Sequence, residues 1–321
     1  MAQSRGTVWQ VAALMVGQAV ASPSDLPQRM IIPFEMNRLD HMVVELQIND
    51  QISTTGVIDT AATFAMVDAR AAQRSGVAVP DAAAPMINIL GVNGDADYPV
   101  VRLDSVRLGN LRLHAMDAAY STGLDVPGAA ANILPSSAFP GDVLEFDFDT
   151  RTISAYDGKP DVAPGRVAKS LSYEIENGLI FVDIRINGKR GRALIDTGAS
   201  LSYVNSTFAR LASMRRNDEM TSLLFGATGD TEKAWVASVR TMRLADFRIE
   251  QPNLLVSDPF LLERLGLKDE PVMVLGLDFL SRFRIQFHRP KQQLILSIPK
   301  DPERGTFLQL YAPATRMDST R

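Results

Sequence analysis

The chain has 321 residues, 46% apolar and 22% charged, enough to bury two modest domains or one large one and too apolar for a disordered polymer. Its 33 basic and 37 acidic residues are interspersed and leave a net charge of −4, which argues against a nucleic-acid face or an anionic-membrane stripe. Cysteine is absent, which excludes disulfides, thiolate nucleophiles and cysteine-based zinc sites, and His41, His114 and His288 lack metal-ligand spacing, so each reads as a surface or strand-end residue.

At the start, Arg5 precedes the small-apolar run Val11–Gly17, and Ala19-Val20-Ala21 supplies the small residues a signal peptidase reads. The expectation is a secretory leader over 1–21, too short to span a bilayer, and a periplasmic or secreted protein. A polar, proline-containing connector follows from Ser22 to Pro33. The segment His41–Asn49 then alternates, with Met42, Val44, Leu46 and Ile48 on one face, as a strand does. Val57-Ile58 runs into Asp59-Thr60-Ala61-Ala62-Thr63, a turn, and Asp68 is placed to cap a short helix over 69–75. Gly91-Val92-Asn93-Gly94-Asp95 signals a hairpin. Asn132-Ile133-Leu134-Pro135 and a two-strand ending close this half.

The same order then repeats. Leu179–Asn187 matches the first strand, Leu194-Ile195 runs into Asp196-Thr197-Gly198-Ala199-Ser200, Asn205 caps a helix over 206–213, and Gly226-Ala227-Thr228-Gly229-Asp230 forms the second hairpin signal. Val274-Leu275-Gly276-Leu277-Asp278-Phe279-Leu280 and another two-strand ending close the second half. Offsets of 137 (Asp59 to Asp196), 135 (Gly91 to Gly226) and 136 (Ser105 to Thr241) mark an internal duplication, far too long in period for a solenoid. Pro160, Pro164, Gly158 and Gly165 give 157–168 the composition of an interlobe linker. The stretch 300–321 is polar apart from Phe307–Tyr311, which offers an edge strand.

Two strands that each end in an aspartate turn, two glycine-bearing hairpins and a closing Leu-Gly-Leu-Asp-Phe-Leu segment resemble the retropepsin-like aspartic proteases, and their tandem arrangement resembles the bilobal pepsin-like members. The resemblance runs from Phe34 to Pro299 and is more specific in the second half. It implies an all-β, bilobal pepsin-like fold built from two β-barrel lobes with short helices: an N-terminal lobe over 34–156 and a C-terminal lobe over 169–299. It implies Asp59 and Asp196 as a catalytic pair, with Thr60 and Thr197 cross-bracing the two loops beside Ala61 and Gly198. It also implies Gly91, Val92, Asn93, Gly94 and Asp95 as a flap over the substrate. The implied activity is that of an endopeptidase acting on polypeptide, without cofactor or metal, as a monomer with an intramolecular pseudo-dyad.

The chemistry fits two carboxylates. One takes a proton from water, the other protonates the scissile amide, and like-charge repulsion leaves the pair sharing one proton. Ala62 and Ala199 stand where pepsin-like members often carry a hydroxyl, which implies a pH optimum milder than pH 2. Two first-half departures bear on activity. Ala61 replaces the motif glycine, where a Cβ either crowds the site or resists a positive φ, and Pro135 replaces Gly276, removing an N–H. The alternative they raise is a catalytically weak or silent lobe pair that binds extended peptides in its cleft. A small-molecule or carbohydrate binder finds no support. Trp235 reads as packing, Tyr98 as a weak flap aromatic, and Phe64, Met66, Leu201 and Tyr203 as mostly core.

Overall fold

The computed structural model describes residues 29–92, 94–123, 132–225, 231–300 and 307–308. The leader 1–21, the hairpin residue Asn93, the second hairpin 226–230 and most of the tail 300–321 lie outside the described residues.

Each half begins with a hairpin whose turn is dictated locally. Met42–Ile48 pairs antiparallel with Ile52–Asp59 through Asn49 (φ 50°) and Asp50 (φ 55°). Leu179–Ile186 pairs with Lys189–Ile195 through Asn187 (φ 50°) and Gly188 (φ 82°). Asn, Asp and Gly tolerate the left-handed conformation that a two-residue hairpin turn demands. The second strand of each hairpin delivers the aspartate. Its neighbour is a parallel strand, Asn132–Pro135 in the first half and Val272–Leu275 in the second, so Asp59 lies opposite Pro135 and Ile195 opposite Leu275.

Short strands then lead to the two caps. Asp68 accepts a hydrogen bond from the Ala71 N–H at the head of helix Ala69–Arg74, and Asn205 accepts one from the Phe208 N–H at the head of Ser206–Leu211. Both helices end one or two residues earlier than the sequence suggests. The first-half hairpin consists of Met86–Leu90 against Asp95–Leu108.

The lobes are joined by a six-stranded antiparallel sheet. Its order is Met30–Met36, Thr152–Tyr156, Val143–Asp147, Arg284–His288, Gln293–Pro299, Arg166–Glu176, three strands from before and three from after the connector. At its centre Glu145 faces Gln286 and Leu144 faces Phe287. Two stretches expected as connectors contribute here. Met30–Pro33 pairs with Thr152–Ala155 and Arg166–Ala168 pairs with Ser297–Pro299. Pro33 is tolerated because its strand leaves the sheet edge there, Phe34–Met36 crossing to pair with Met42–Val44. The connector without strand is therefore 157–165.

The core runs through this sheet. Phe146 and Phe287, one from each half, meet edge to face at 6.1 Å between ring centroids, and Tyr173 meets Phe287 at the same separation. Trp235 packs against this main core. No helix among the described residues is long and apolar enough to cross a membrane.

Candidate active site

Asp59 ends one strand and Asp196 follows another, and the two loops meet. The Thr60 N–H donates to Thr197 Oγ1 at 3.1 Å and the Thr197 N–H donates to Thr60 Oγ1 at 3.0 Å. Each hydroxyl passes its own proton on: Thr60 Oγ1 donates to the Ile195 carbonyl and Thr197 Oγ1 to the Ile58 carbonyl, both at 2.7 Å. Both threonines are fully buried, so these four bonds leave no polar atom of either hydroxyl unsatisfied and fix the loops against each other.

On this brace the aspartates are oriented by backbone. Asp59 Oδ1 accepts from the Ala61 N–H (2.7 Å) and the Ala62 N–H (3.1 Å), and Asp196 Oδ1 accepts from the Gly198 and Ala199 N–H groups (both 2.9 Å). The two carboxyls lie close enough for the charge of Asp59 to raise Asp196. Burial raises both and their like charge opposes ionisation of the second, so the pair shares one proton.

Gly198 is required by space. A Cβ there would fall 2.5 Å from Asp59 Oδ2 and 2.6 Å from its Cγ. Ala61, the corresponding first-half residue, is free of one of the two difficulties expected of it. Its φ is not positive, and it packs against a second-lobe apolar cluster that includes Leu179, Phe181, Leu194 and Tyr203. The loss of an N–H at Pro135 is also matched. In the second lobe the Gly276 N–H donates to Ser202 Oγ at 2.7 Å. The repeat places Ala65 at the position of Ser202, so the first lobe lacks both the donor and its acceptor.

Ser202 leads to Asp278, a half-buried carboxyl of the closing segment. Ser202 Oγ donates to Asp278 Oδ1 at 2.5 Å, and the Asp278 and Leu277 N–H groups hold the Ser200 and Ala199 carbonyls at 3.1 and 2.8 Å. The Asp196 loop is thus clamped from behind. His41 sits at a strand end, just before Met42–Ile48. It is half-buried, and burial lowers its imidazole below the ordinary value.

In the expected flap, the Gly91 N–H donates to the Gly94 carbonyl at 2.8 Å and Asp95 pairs with Leu90. The Val92 carbonyl accepts from the Leu261 N–H at 3.0 Å, so the hairpin reaches the second-lobe helix Phe260–Arg264. Tyr98 lies opposite Ile87 within the hairpin stem. Among the described residues no cluster of three or more His, Cys, Asp or Glu has the arrangement of a metal site.

The charges predict a pH dependence of stability. Burial pushes Asp278 up to about 6 despite hydrogen bonds from Ser202 and Phe279, and it raises Asp59 and Asp196 as well. Carboxyls raised in the folded state contribute stability that is fully present below the ordinary carboxylate range and lost as pH rises through their folded values. Asp161 works in the opposite sense: burial raises it, but hydrogen bonds and charge from Arg284 and Arg29 together hold it down to about 2, so its contribution is lost as pH falls towards that value. The melting temperature is expected to peak at about pH 4 and to decline between about pH 5 and 7. Calorimetry from pH 2.5 to 8 checks this; a melting temperature that climbs steadily from pH 4 to 7 contradicts it.

Two β lobes that each place one aspartate on a braced turn, with the two turns bonded to each other and a first-lobe hairpin reaching the second lobe, define a bilobal aspartic-protease architecture. The chain belongs to the aspartyl protease family, whose family model matches residues 44–133 and 182–279. Its structure is similar to the crystal structure of aspartic proteinase from Irpex lacteus, with a TM-score of 0.50 and 12% sequence identity over 84% of this chain and 97% of that one. No curated protein matches the chain.

Proposed function

We propose that the protein is an aspartic endopeptidase that hydrolyses peptide bonds with a water activated between Asp59 and Asp196. The observation that carries this is a pair of aspartates on cross-braced loops, each carboxyl oriented by two backbone N–H donors. Asp59, ionised, takes a proton from the attacking water as the oxygen bonds to the scissile carbonyl carbon. Asp196 gives its proton to the carbonyl oxygen, leaving a neutral tetrahedral diol. Return of the proton from the diol and protonation of the amine then break the C–N bond.

Rigid positioning supports this chemistry. Four threonine bonds and four backbone donors fix the carboxyls before substrate arrives, so little reorganisation accompanies the transfer. The flap hairpin supplies a strand-like edge suited to an extended polypeptide. A φ at Ala61 that is not positive, and the absence of the acceptor a Pro135 N–H would need, support this reading over a silent lobe pair that binds peptides. A leader over 1–21 would direct the enzyme out of the cytoplasm, where a single chain carrying both aspartates would act as a monomer. The test is hydrolysis of a denatured protein at mild acid, stopped by a statine-type inhibitor. Peptide binding without any cleavage overturns the enzymatic reading.

A further inference from the structure

The duplication sets the surroundings of the two aspartates side by side, and behind the loops the two lobes differ in kind. In the second lobe Ser202, Gly276 and Asp278 bring together a hydroxyl, a backbone N–H and a carboxyl. The same places in the first lobe hold Ala65, Pro135 and Ser137, which offer none of the three.

Ser202 is 1% exposed, and its hydroxyl works in both directions. Oγ accepts from the Gly276 N–H at 2.7 Å and donates to Asp278 Oδ1 at 2.5 Å, while the same Oδ1 accepts from the Phe279 N–H at 3.1 Å. One side chain thereby fixes both ends of the bend from Gly276 to Asp278.

That bend holds the Asp196 loop through backbone alone. The Leu275 carbonyl accepts from the Asp196 N–H at 3.0 Å, the Leu277 N–H donates to the Ala199 carbonyl at 2.8 Å, and the Asp278 N–H donates to the Ser200 carbonyl at 3.1 Å. Ala199 is also the residue whose own N–H donates to Asp196 Oδ1 at 2.9 Å. It is held from both sides, by the bend and by the catalytic carboxyl. The approach is close: a Cβ at Gly276 would fall 2.8 Å from the Ala199 carbonyl oxygen and 2.9 Å from the Leu201 carbonyl carbon. A change in the shape of the bend therefore passes straight to the loop. The corresponding first-lobe turn, Ser136–Ala138, is gripped from outside its lobe, Arg289 donating to the Ser136 carbonyl at 2.9 Å and the Gly141 carbonyl at 3.0 Å.

We propose that Ser202 and Asp278 are positioning residues for Asp196 alone: together they set the bend whose backbone aims the Ala199 N–H at that carboxyl, and Asp59 has no equivalent. This rests on the reading of the pair as catalytic and adds two residues outside the Asp-Thr-Gly motif. Neither touches substrate in this role.

Three variants test it. Ser202→Ala gives the second lobe the first-lobe residue, Asp278→Ala removes the acceptor, and Asp278→Asn keeps an oxygen for the Ser202 hydroxyl and the Phe279 N–H. Ser202→Ala and Asp278→Ala are each expected to lower kcat about tenfold with KM within about twofold of wild type, and the double variant to be no worse than either. Asp278→Asn is expected to keep about half of kcat or more. Amide hydrogen exchange needs no turnover: in Ser202→Ala, exchange at Gly198 and Ala199 is expected to quicken about tenfold, with Ala61 and Ala62 unchanged. Equal acceleration in the two loops, or none in either, overturns the proposal, as does an Asp278→Asn variant as slow as Ser202→Ala. The last two comparisons stand even if Asp278→Ala fails to fold. An inactive wild type would defeat the protease reading while leaving the exchange at Ala199 measurable.

Discussion

Asp196→Asn is expected to lower kcat on a peptide substrate by about 10³-fold or more while leaving the melting temperature at pH 4 within a few degrees of wild type. The amide is nearly isosteric and can still accept from the Gly198 and Ala199 N–H groups, so the loop keeps its anchors. It cannot deliver a carboxyl proton to the scissile carbonyl. Asp59→Asn removes the base instead and is expected to cost as much. The double variant should be scarcely worse than either single one, because the residues act as one unit sharing one proton. The effects of independent groups would multiply. Kinetics of the three variants beside calorimetry separate lost chemistry from lost fold, and a single variant retaining a tenth of wild-type activity would show that its aspartate is not part of the reaction.

Arg284→Met is expected to produce the largest loss of stability. Arg284 Nη2 lies 2.7 Å from Glu145 Oε2 and 2.5 Å from Asp161 Oδ1, with the Arg284 and Glu145 side chains only 5% and 3% exposed. Arg29 holds the other Glu145 oxygen at 2.8 Å, and the Gln286 amide donates to Glu145 Oε2 at 2.9 Å. Removing one guanidinium leaves a buried carboxylate short of its main counter-charge, which costs about 3–5 kcal/mol. The penalty falls between the lobes, since Glu145 and Arg284 lie on the two central strands of the joining sheet. The melting temperature should drop by about 6–20 °C. Replacing Glu145 with Leu in the same chain should recover part of the loss by removing the stranded charge. An unchanged melting temperature in Arg284→Met would mean that the cluster does not bind the lobes together.

The all-β, two-lobed architecture was legible because its signals are local and occur twice. Asn-Asp and Asn-Gly turns, two capping residues at a constant offset and two strands ending in aspartate are each readable within ten residues, and the duplication multiplies their weight. The joining sheet was not legible. Its central pairing links residues about 140 apart, and Val143–Asp147 and Arg284–His288 are covered on both faces, so neither alternates as a half-exposed strand does. Pro33 and the proline-rich stretch ahead of Arg166 also made two edge segments look like connectors.

At the site, residues of the motif were nameable in advance, whereas residues that touch it from elsewhere were not. Nothing near Leu261 in sequence refers to Val92; the contact exists only once the lobes meet. The clamp on the second loop was partly visible. Ser202 and Gly276 in one half stand against Ala65 and Pro135 in the other, a concerted difference that marks a donor and acceptor gained or lost together. The conformation at Ala61 was beyond reach, because whether that position needs a positive φ depends on how the opposite lobe packs against it.

The dependence of kcat/KM on pH for the wild-type enzyme tests the shared-proton pair most directly. A bell is predicted, its acid limb set by a second proton reaching the pair and its alkaline limb by loss of the one on Asp196, with the maximum in mild acid, well above pH 2. A rate that follows a single ionisation, or one that peaks near pH 2, would contradict two raised carboxyls working on one proton.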